Sequence, residues 1–392
     1  MKKSKASKIM FAVVVLLAGL YGLAYMTTSS SLLSRILVWR DADVDDYLRF
    51  PARTIANAPP RFNFSRPESQ GAFFEKLNQH AQLPKNAVGA DLAEFLAKTQ
   101  TMAFLILRND TLLTEEYFNG YNAESICTSF SIAKSITSVL VGVALEEGRI
   151  KSLEDPVTNY IPELLEQDAR FQEITLHHLV TMSSGLQYVK SDNPFVSDDP
   201  KTYYDPDLRA RALQAVVEGA PGEKFRYNNY NPLLVGMVIE RATGKSVSEY
   251  LSEKIWQPLG MSAPATWSLD SEASGFEKME SGVNARAIDF LKFGRLFLHE
   301  GNWNGRQIIP ADWVYASTKP DSLNDPARFY QYFWWVNRSR EPDYHYYGEG
   351  NKGQFIYIVP SSKIIIARFG VEYGHARWPA YLAYLADEIS KL

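Results

Sequence analysis

The residues of this sequence best suited to covalent chemistry are Ser131 and Lys134, in the run Ser131-Ile132-Ala133-Lys134. An apolar stretch follows, 135–147, which ends at Gly148 and is typical of a buried helix. Positions i and i+3 of a helix are neighbours, so a hydroxyl and an amine would lie side by side at the helix N-terminus. That end of a helix favours an oxyanion, and burial lowers the pKa of an amine. The spacing therefore predicts a serine nucleophile activated by lysine, although an N-cap serine beside a solvated lysine would carry the same residues.

A phenol and an amide form a second candidate element, Tyr227-Asn228-Asn229, in a loop ahead of a predicted helix over 231–242. A tyrosine close to a lysine ammonium has a depressed pKa and can act as a general base and then as a general acid. We therefore predict that Tyr227 works with Ser131 and Lys134.

A glycine-rich stretch runs from Tyr347 to Gln354 and leads into a predicted strand. Glycines allow a substrate to lie against the edge of a strand and to take a backbone N–H as an oxyanion donor. The stretch predicts one wall of a binding site.

Composition restricts the classes of function. The 392 residues are 46% hydrophobic and 22% charged, which is typical of a globular protein, and the net charge of -4 gives no electrostatic case for a nucleic-acid partner. The single cysteine, Cys127, excludes an internal disulfide and is interpreted as a small buried residue. His177 and His178 have no metal-ligand spacing and are assigned to helix packing, so no metal or cofactor is expected.

The N-terminus has the pattern of a membrane segment. Lysines, at positions 2, 3, 5 and 8, precede an uncharged apolar run over 9–26, at the short end of the roughly 17–25 residues needed to span a bilayer. The positive-inside rule places the rest of the chain outside the cytoplasm, in the periplasm. We predict an uncleaved anchor in the inner-membrane lipid; a cleaved signal peptide would give a secreted protein. The expected organisation is an anchor and stalk over 1–40, a linker over 41–66 and a hydrolase domain over 67–392.

Secondary-structure patterns predict an α+β fold of the α/β sandwich type. Strands are predicted over 101–108, 112–118, 329–336, 354–359 and 363–369. Helices are predicted over 71–80, 91–99, 174–182, 208–217, 231–242, 247–256, 284–299 and 378–389, with irregular loops over 150–165 and 191–206. The expected architecture is an antiparallel sheet built from both ends of the chain, flanked by helices, with an all-helical lobe inserted over about 150–280. An active site would lie between the sheet and the lobe.

Taken together, these motifs resemble those of the serine β-lactamase-like superfamily, on the branch of class C β-lactamases, DD-peptidases, family VIII esterases and 6-aminohexanoate-dimer hydrolases. The similarity covers about residues 100–390. It rests on the Ser-x-x-Lys and Tyr-x-Asn elements and on three further segments, 153–164, 174–186 and 282–295.

The resemblance implies a role for each candidate residue. Ser131 would form the acyl-enzyme, Lys134 would share its proton network, and Tyr227 would activate the serine and protonate the leaving group. Asn229 would hydrogen bond a substrate carbonyl. The oxyanion donors would be the N–H of Ser131 and an N–H that follows Gly350, that of Asn351.

The sequence departs from the β-lactamase pattern where those enzymes carry Lys-Thr-Gly on a strand. Two registers compete for this position, Gly348-Glu349-Gly350 and Lys352-Gly353-Gln354, and we favour the second, because Gly353-Gln354 resembles the strand entry of the esterase and dimer-hydrolase branch. We therefore expect a serine hydrolase that acts on a small-molecule ester or amide rather than a strong β-lactamase. The alternative is a non-catalytic or DD-peptidase-type protein that binds cell-envelope peptidoglycan on the same fold.

Overall fold

The protein is described by a computed structural model that covers residues 5–69, 71–319, 326–337, 344–374 and 377–392. His375, which the sequence left unassigned, lies outside the described residues. The helices are α1 (Lys5–Met26), α2 (Leu32–Trp39), α3 (Ala72–His80), α4 (Leu92–Lys98), α5 (Ile132–Glu146), α6 (Leu164–Gln167), α7 (Leu176–Val180), α8 (Asp198–Tyr204), α9 (Leu208–Leu213), α10 (Tyr230–Thr243), α11 (Val247–Leu251), α12 (Ala287–Leu298), α13 (Ala311–Thr318) and α14 (Trp378–Lys391). The strands are β1 (Ala52–Ile55), β2 (Thr101–Arg108), β3 (Thr111–Tyr117), β4 (Ile126–Thr128), β5 (Ala265–Ser268), β6 (Val283–Arg286), β7 (Asn302–Trp303), β8 (Arg306–Gln307), β9 (Tyr330–Gln331), β10 (Trp334–Val336), β11 (Tyr346–Gly350), β12 (Gln354–Val359) and β13 (Ile364–Gly370).

The main sheet joins the two ends of the chain, as predicted. Its order is β3-β2-β13-β12-β11-β10-β9 and every neighbouring pair is antiparallel. In the centre, Ile366 of β13 pairs with Ile106 of β2 and with Tyr357 of β12. The α+β architecture expected from the sequence is therefore confirmed.

Both faces of this sheet are buried, because successive side chains of a strand point to opposite sides. Phe104, Ile106 and Tyr357 pack in one apolar core with α4 and α14. Leu105 and Ile356 face the other way, into the large core that contains α5 and α12. Helix α5, which carries Ser131 and Lys134, is consequently held against the sheet by a continuous apolar interior.

The predicted linker over 41–66 is instead part of the folded domain. Its strand β1 pairs with β5, with Ala52 opposite Ser268, and joins a second sheet of order β1-β5-β6-β4. The side chain of Ile55 is fully buried. These strands have three or four residues each, too few for an alternating pattern to identify them.

The helical lobe differs from the prediction in two places. It contributes a strand, β5, to the second sheet, so it is not entirely helical. The predicted irregular loop over 191–206 contains α8, whose Pro200 occupies the first turn, where a missing N–H is tolerated.

Two boundaries in the C-terminal half also differ. The predicted strand over 329–336 is a hairpin of β9 and β10, because Tyr332 and Phe333 have positive φ angles of 38° and 68° and reverse the chain. The first residues of the predicted helix over 284–299 form β6, and α12 begins at Ala287. A short hairpin that turns at Asn304-Gly305 pairs β7 with β8.

The apolar N-terminal helix α1 is long and apolar enough over Ser7–Met26 to cross a membrane, and none of that stretch is buried in the protein. A signal sequence would meet the same criteria. The following helix, α2, is docked on the domain through Ile36, which packs with Phe50 and Tyr204. The predicted stalk is therefore in contact with the folded domain.

Candidate active site

Ser131 stands at the junction of β4 and α5, on the floor of a cavity. It occupies the N-cap position of α5, and the preceding residue, Phe130, has a φ of 41°. A bulky residue in the left-handed region is strained, and such strain is found at functional sites. The turn places Ser131 in the floor of the cavity, where it is half-buried. The rest of α5 up to Ala144 is buried.

Lys134 lies one turn along α5 and contacts the serine directly. Its Nζ is 2.9 Å from Ser131 Oγ, and it donates a hydrogen bond of 2.8 Å to the carbonyl oxygen of Glu280. Burial lowers the pKa of Lys134 to about 7, against the opposing negative charges of Glu280 and Asp199. A large fraction of this amine is therefore neutral near pH 7 and can accept a proton.

Tyr227, in the loop that precedes α10, contacts the same serine. Its hydroxyl is hydrogen bonded to Ser131, and Lys134 Nζ lies 5.0 Å from the centre of its ring. The ring stacks on Trp335 at 5.9 Å and meets the ring of Tyr330 edge-on. The structure thus places the three predicted catalytic side chains together.

The depressed pKa expected for Tyr227 is wrong. Burial raises the pKa of its phenol well above 10, and this effect exceeds that of the hydrogen bond with Ser131, which acts in the opposite direction. A phenol at neutral pH is a proton donor, not a base. Of the two groups that contact Ser131, the amine of Lys134 is the one suited to remove its proton.

Asn229 lines the cavity with a fixed amide orientation. Its Nδ2 donates to the hydroxyls of Tyr188 at 2.9 Å and of Thr202 at 3.2 Å. The Tyr188 hydroxyl donates its own hydrogen bond to the carboxylate of Asp199, and the Thr202 hydroxyl donates to the carbonyl of Asp198. Both hydroxyls must therefore accept from Asn229. The Oδ1 atom of Asn229 is buried and has no hydrogen-bond partner among the residues that the structure describes. This orientation predicts that Asn229 offers an acceptor, where the resemblance implied a donor to a substrate carbonyl.

The glycine-rich stretch approaches the turn that carries Ser131 at the end of β11. A Cβ atom on Gly350 would clash with the carbonyl oxygen of Ser129, so only glycine allows this close approach. Asn351 follows directly and lines the same cavity as Ser131. The structure therefore places Gly348-Glu349-Gly350 beside Ser131, whereas Lys352 lies in the turn to β12, so the favoured register Lys352-Gly353-Gln354 is wrong.

Two buried side chains hold the turn after β11. Gln354 donates from Nε2 to the carbonyl of Asn351 and to that of Gly370, and it accepts from the Gly370 N–H. The guanidinium of Arg368 donates to the carbonyls of Lys352 and Gly353. These hydrogen bonds hold the turn in place and so fix the position of Asn351 relative to Ser131.

The cavity between the sheet and the lobe has a volume of about 480 Å³, enough for a small-molecule ligand. Its floor contains Ser131 and Tyr227. Its walls are formed by three groups of residues, namely Arg40, Asp41 and Ala42; Lys190, Ser191, Asp192, Pro194, Ser197, Asp199, Pro200, Tyr203 and Tyr204; and Phe130, Asn229, Glu280, Ser281 and Asn351. All six predicted site residues line this cavity or, for Lys134 and Gly350, adjoin a residue that does.

Sequence reasoning missed Glu280, Tyr188 and Arg368, which position the predicted residues. Each acts through a contact between distant parts of the chain, such as the 146 residues that separate Lys134 from Glu280. A usable signal existed only for Glu280, which lies two residues before the segment 282–295 that carries the family resemblance.

The remaining candidates are structural. His178 closes the N-terminus of α7 in a capping box with Thr175, and His177 packs against the ring of Tyr332. Cys127 is buried in β4, and burial raises its pKa to about 12. The helix-packing assignment for the histidines and the buried position of the cysteine are confirmed.

Comparison with known proteins finds one matching family. The family model described as Beta-lactamase matches residues 89–370. The chain is 26% identical to a 6-aminohexanoate-dimer hydrolase of Paenarthrobacter ureafaciens over 314 residues, which cover 74% of this chain and 76% of that protein. It is 34% identical to the esterase EstB of Burkholderia gladioli over 143 residues, which cover 33% of this chain and 36% of that protein. A solved structure from Bacillus anthracis, provisionally assigned as a 6-aminohexanoate-dimer hydrolase, has a TM-score of 0.76 at 26% identity and covers 87% of this chain and 90% of its own.

Proposed function

The chain belongs to the beta-lactamase family, and on that premise we propose that it is a serine hydrolase that cleaves an ester or amide through an acyl-enzyme. The relatives named above support a hydrolase at the level of the family. The observation that carries the serine mechanism is the contact of Ser131 Oγ with both Lys134 Nζ and the Tyr227 hydroxyl.

In the proposed acylation step, the neutral amine of Lys134 takes the proton of Ser131 as Oγ attacks the substrate carbonyl. The pKa of about 7 makes this amine available near neutral pH. The tetrahedral oxyanion would be bound by the N–H groups of Ser131 and Asn351. Tyr227, which stays protonated, would pass its proton to the leaving group and recover one from the Lys134 ammonium. Water would then hydrolyse the acyl-enzyme through the same groups.

The proposed substrate class follows from the wall of the cavity that β11 forms beside Ser131. At the strand position where β-lactamases carry a lysine, β11 presents Gly348. No cation therefore stands there to bind the carboxylate of a β-lactam. Glu349 accepts a hydrogen bond from the Tyr373 hydroxyl at 3.1 Å. An uncharged ester or amide fits this wall better than a β-lactam.

We further propose that α1 anchors the protein in the inner membrane with the catalytic domain outside the cytoplasm. The supporting features are the length of the apolar helix and the lysines that precede it.

Covalent labelling tests the proposal. A fluorescent fluorophosphonate should label the wild-type chain, and p-nitrophenyl esters should be hydrolysed faster than nitrocefin. Ser131→Ala should lose both the label and turnover. Ser135→Ala is the matched control, since its hydroxyl lies one turn further along α5 and donates to the carbonyl of Phe333. Absence of labelling and of turnover in the wild-type chain would contradict the proposal and favour a binding protein on the same fold.

A further inference from the structure

Hydrogen bonds from one buried arginine link the end of the apolar helix α1 to the catalytic domain. Arg35 of α2 is almost fully buried and donates to four carbonyl oxygens. Two of them, those of Thr28 and Ser29, belong to the turn that ends α1, at 2.7 and 2.9 Å. The other two, those of Tyr204 and Asp270, belong to the domain, at 3.0 and 2.7 Å. One side chain therefore fastens the end of α1 to the catalytic domain.

Aromatic packing reinforces this connection. The Arg35 guanidinium lies 5.2 Å from the ring of Trp39 and 5.4 Å from that of Phe50. Phe50 in turn packs on Tyr203 and Tyr204 of α8. Because α8 ends on the cavity wall, the domain cannot pivot about the end of α1 without disrupting the cavity.

The cavity itself lies within a short distance of the end of α1. Residues 40–42, which directly follow α2, form one wall of the cavity that contains Ser131. With eight residues at 1.5 Å each, α2 is about 12 Å long. If α1 spans a bilayer, the length of α2 therefore limits the distance between this wall and the bilayer surface to about 12 Å.

Exposed apolar side chains border the same wall. Leu33 and Leu37, at i and i+4, form the outer face of α2, and each is about half exposed. Phe195 and Val196 are exposed to a similar extent in the loop whose residues 190–192, 194 and 197 line the cavity. These four side chains do not line the cavity; together they are called the apolar rim below. Isolated surface leucines are ordinary, but an apolar rim beside an apolar helix of membrane-spanning length is typical of a membrane-contacting surface.

We propose that the apolar rim, Leu33, Leu37, Phe195 and Val196, rests on the surface of the lipid bilayer that holds α1, so that the catalytic cavity takes an amphiphilic ester or amide from that surface. The inference rests on the proposed hydrolase function and narrows its substrate class. A substrate with a long acyl chain would keep the chain in the bilayer while its carbonyl enters the cavity. Water-soluble short esters would reach the serine without contact with the rim.

The kinetic test uses the full chain reconstituted in phosphatidylcholine vesicles. Two substrates are compared, p-nitrophenyl dodecanoate carried in the vesicles and p-nitrophenyl acetate in water. For the double variants Leu33→Ser/Leu37→Ser and Phe195→Ser/Val196→Ser we expect kcat/KM on the dodecanoate to fall about tenfold or more, because membrane binding scales with buried apolar area. Activity on the acetate should stay within about twofold.

A matched double variant controls for the loss of apolar surface itself. Leu165→Ser/Val216→Ser removes two comparably exposed side chains that belong neither to α2 nor to the cavity-lining loop. It should leave both activities unchanged. Equal losses on the two esters, or no loss on the dodecanoate, in the rim variants would overturn the proposal. A wild-type chain that hydrolyses neither ester would contradict the proposed function instead.

A second readout does not depend on activity. The single native cysteine is buried, so a thiol-reactive nitrobenzoxadiazole probe can be directed to a Phe195→Cys variant, with Val216→Cys as the control. In vesicles that contain a spin-labelled phosphatidylcholine, the probe at 195 should be quenched and the probe at 216 should not. Equal quenching at the two positions would overturn the membrane contact, whether or not the enzyme is active.

Discussion

At the scale of single residues, the protonation state of Lys134 should control the rate. Burial lowers the pKa of Lys134 to about 7, and only the neutral amine can accept the proton of Ser131. We therefore expect kcat/KM on a soluble ester to rise about tenfold per pH unit below pH 7 and to level off above it. The plateau should persist into alkaline solution, because the phenol of Tyr227 has its pKa raised well above 10.

Two variants separate the groups in this pH profile. Tyr227→Phe should lower the plateau by orders of magnitude while the midpoint stays near pH 7. Glu280→Gln should move the midpoint to lower pH, because the negative charge of Glu280 raises the pKa of Lys134. The test is to measure kcat/KM between pH 5 and 9 for the wild-type chain and for both variants. A flat wild-type profile, or a midpoint that disappears in the Tyr227 variant, would show that the lysine is not the base.

At the scale of elements, the site depends on how closely the end of β11 approaches the nucleophile turn. In a Gly350→Ala variant the new methyl group would overlap the carbonyl oxygen of Ser129, and the two segments would have to separate. Overpacking of this kind costs about 1–3 kcal/mol of unfolding free energy. Displacing Asn351, the proposed oxyanion donor, should lower kcat about 10²–10³-fold. Denaturant unfolding and ester kinetics measure the two effects.

A neighbouring glycine provides the matched control for this prediction. Gly348 lies two residues earlier on the same strand and the same face, and a Cβ there would sit 3.4 Å from Ser135 Oγ, an ordinary van der Waals distance. Gly348→Ala should therefore retain most of the activity. Similar kinetics for the two variants would mean that the close approach at Gly350 has no catalytic role.

The elements that sequence patterns predicted are those with a strong local signal. The helix α5 was predicted from its apolar run and its terminal glycine, and the spacing of Ser131 and Lys134 on it fixed their contact. The short strands β1 and β6 carried no such pattern, because their burial is decided by pairing with distant residues. The turn at Tyr332 and Phe333 was missed because neither residue type favours the positive φ that both adopt.

At the scale of the whole molecule, the cavity is lined by six separated parts of the chain, 40–42, 130–131, 190–204, 227–229, 280–281 and 351. The proximity of the three predicted catalytic residues could be predicted from sequence, since the Ser-x-x-Lys and Tyr-x-Asn motifs resemble those of a known family. Their electrostatics could not, because the raised pKa of Tyr227 comes from burial by Trp335 and Tyr330, which no local pattern relates to it. The same limit applies to residues 40–42, where a predicted linker forms a wall of the catalytic cavity.

The fastening of the N-terminal segment makes Arg35 a determinant of both stability and access to the site. An Arg35→Met variant keeps the length of the side chain but leaves the carbonyls of Thr28, Ser29, Tyr204 and Asp270 without their donor. Leaving a buried acceptor without its hydrogen-bond partner costs about 1–3 kcal/mol. We expect a loss of that size in denaturant unfolding, and faster amide hydrogen exchange over residues 28–50.

The neighbouring Arg49 is the control, because its side chain is 41% exposed and its ion pair with Asp46 should contribute at most about 1 kcal/mol. Arg49→Met should therefore leave hydrogen exchange over α2 unchanged. In Arg35→Met the wall at residues 40–42 should loosen, so hydrolysis of a bulky ester should decline more than hydrolysis of p-nitrophenyl acetate. If Arg35→Met unfolds like the wild-type chain and shows no added exchange, the end of α1 is not fastened to the domain in solution, and the cavity would have no fixed orientation toward a membrane.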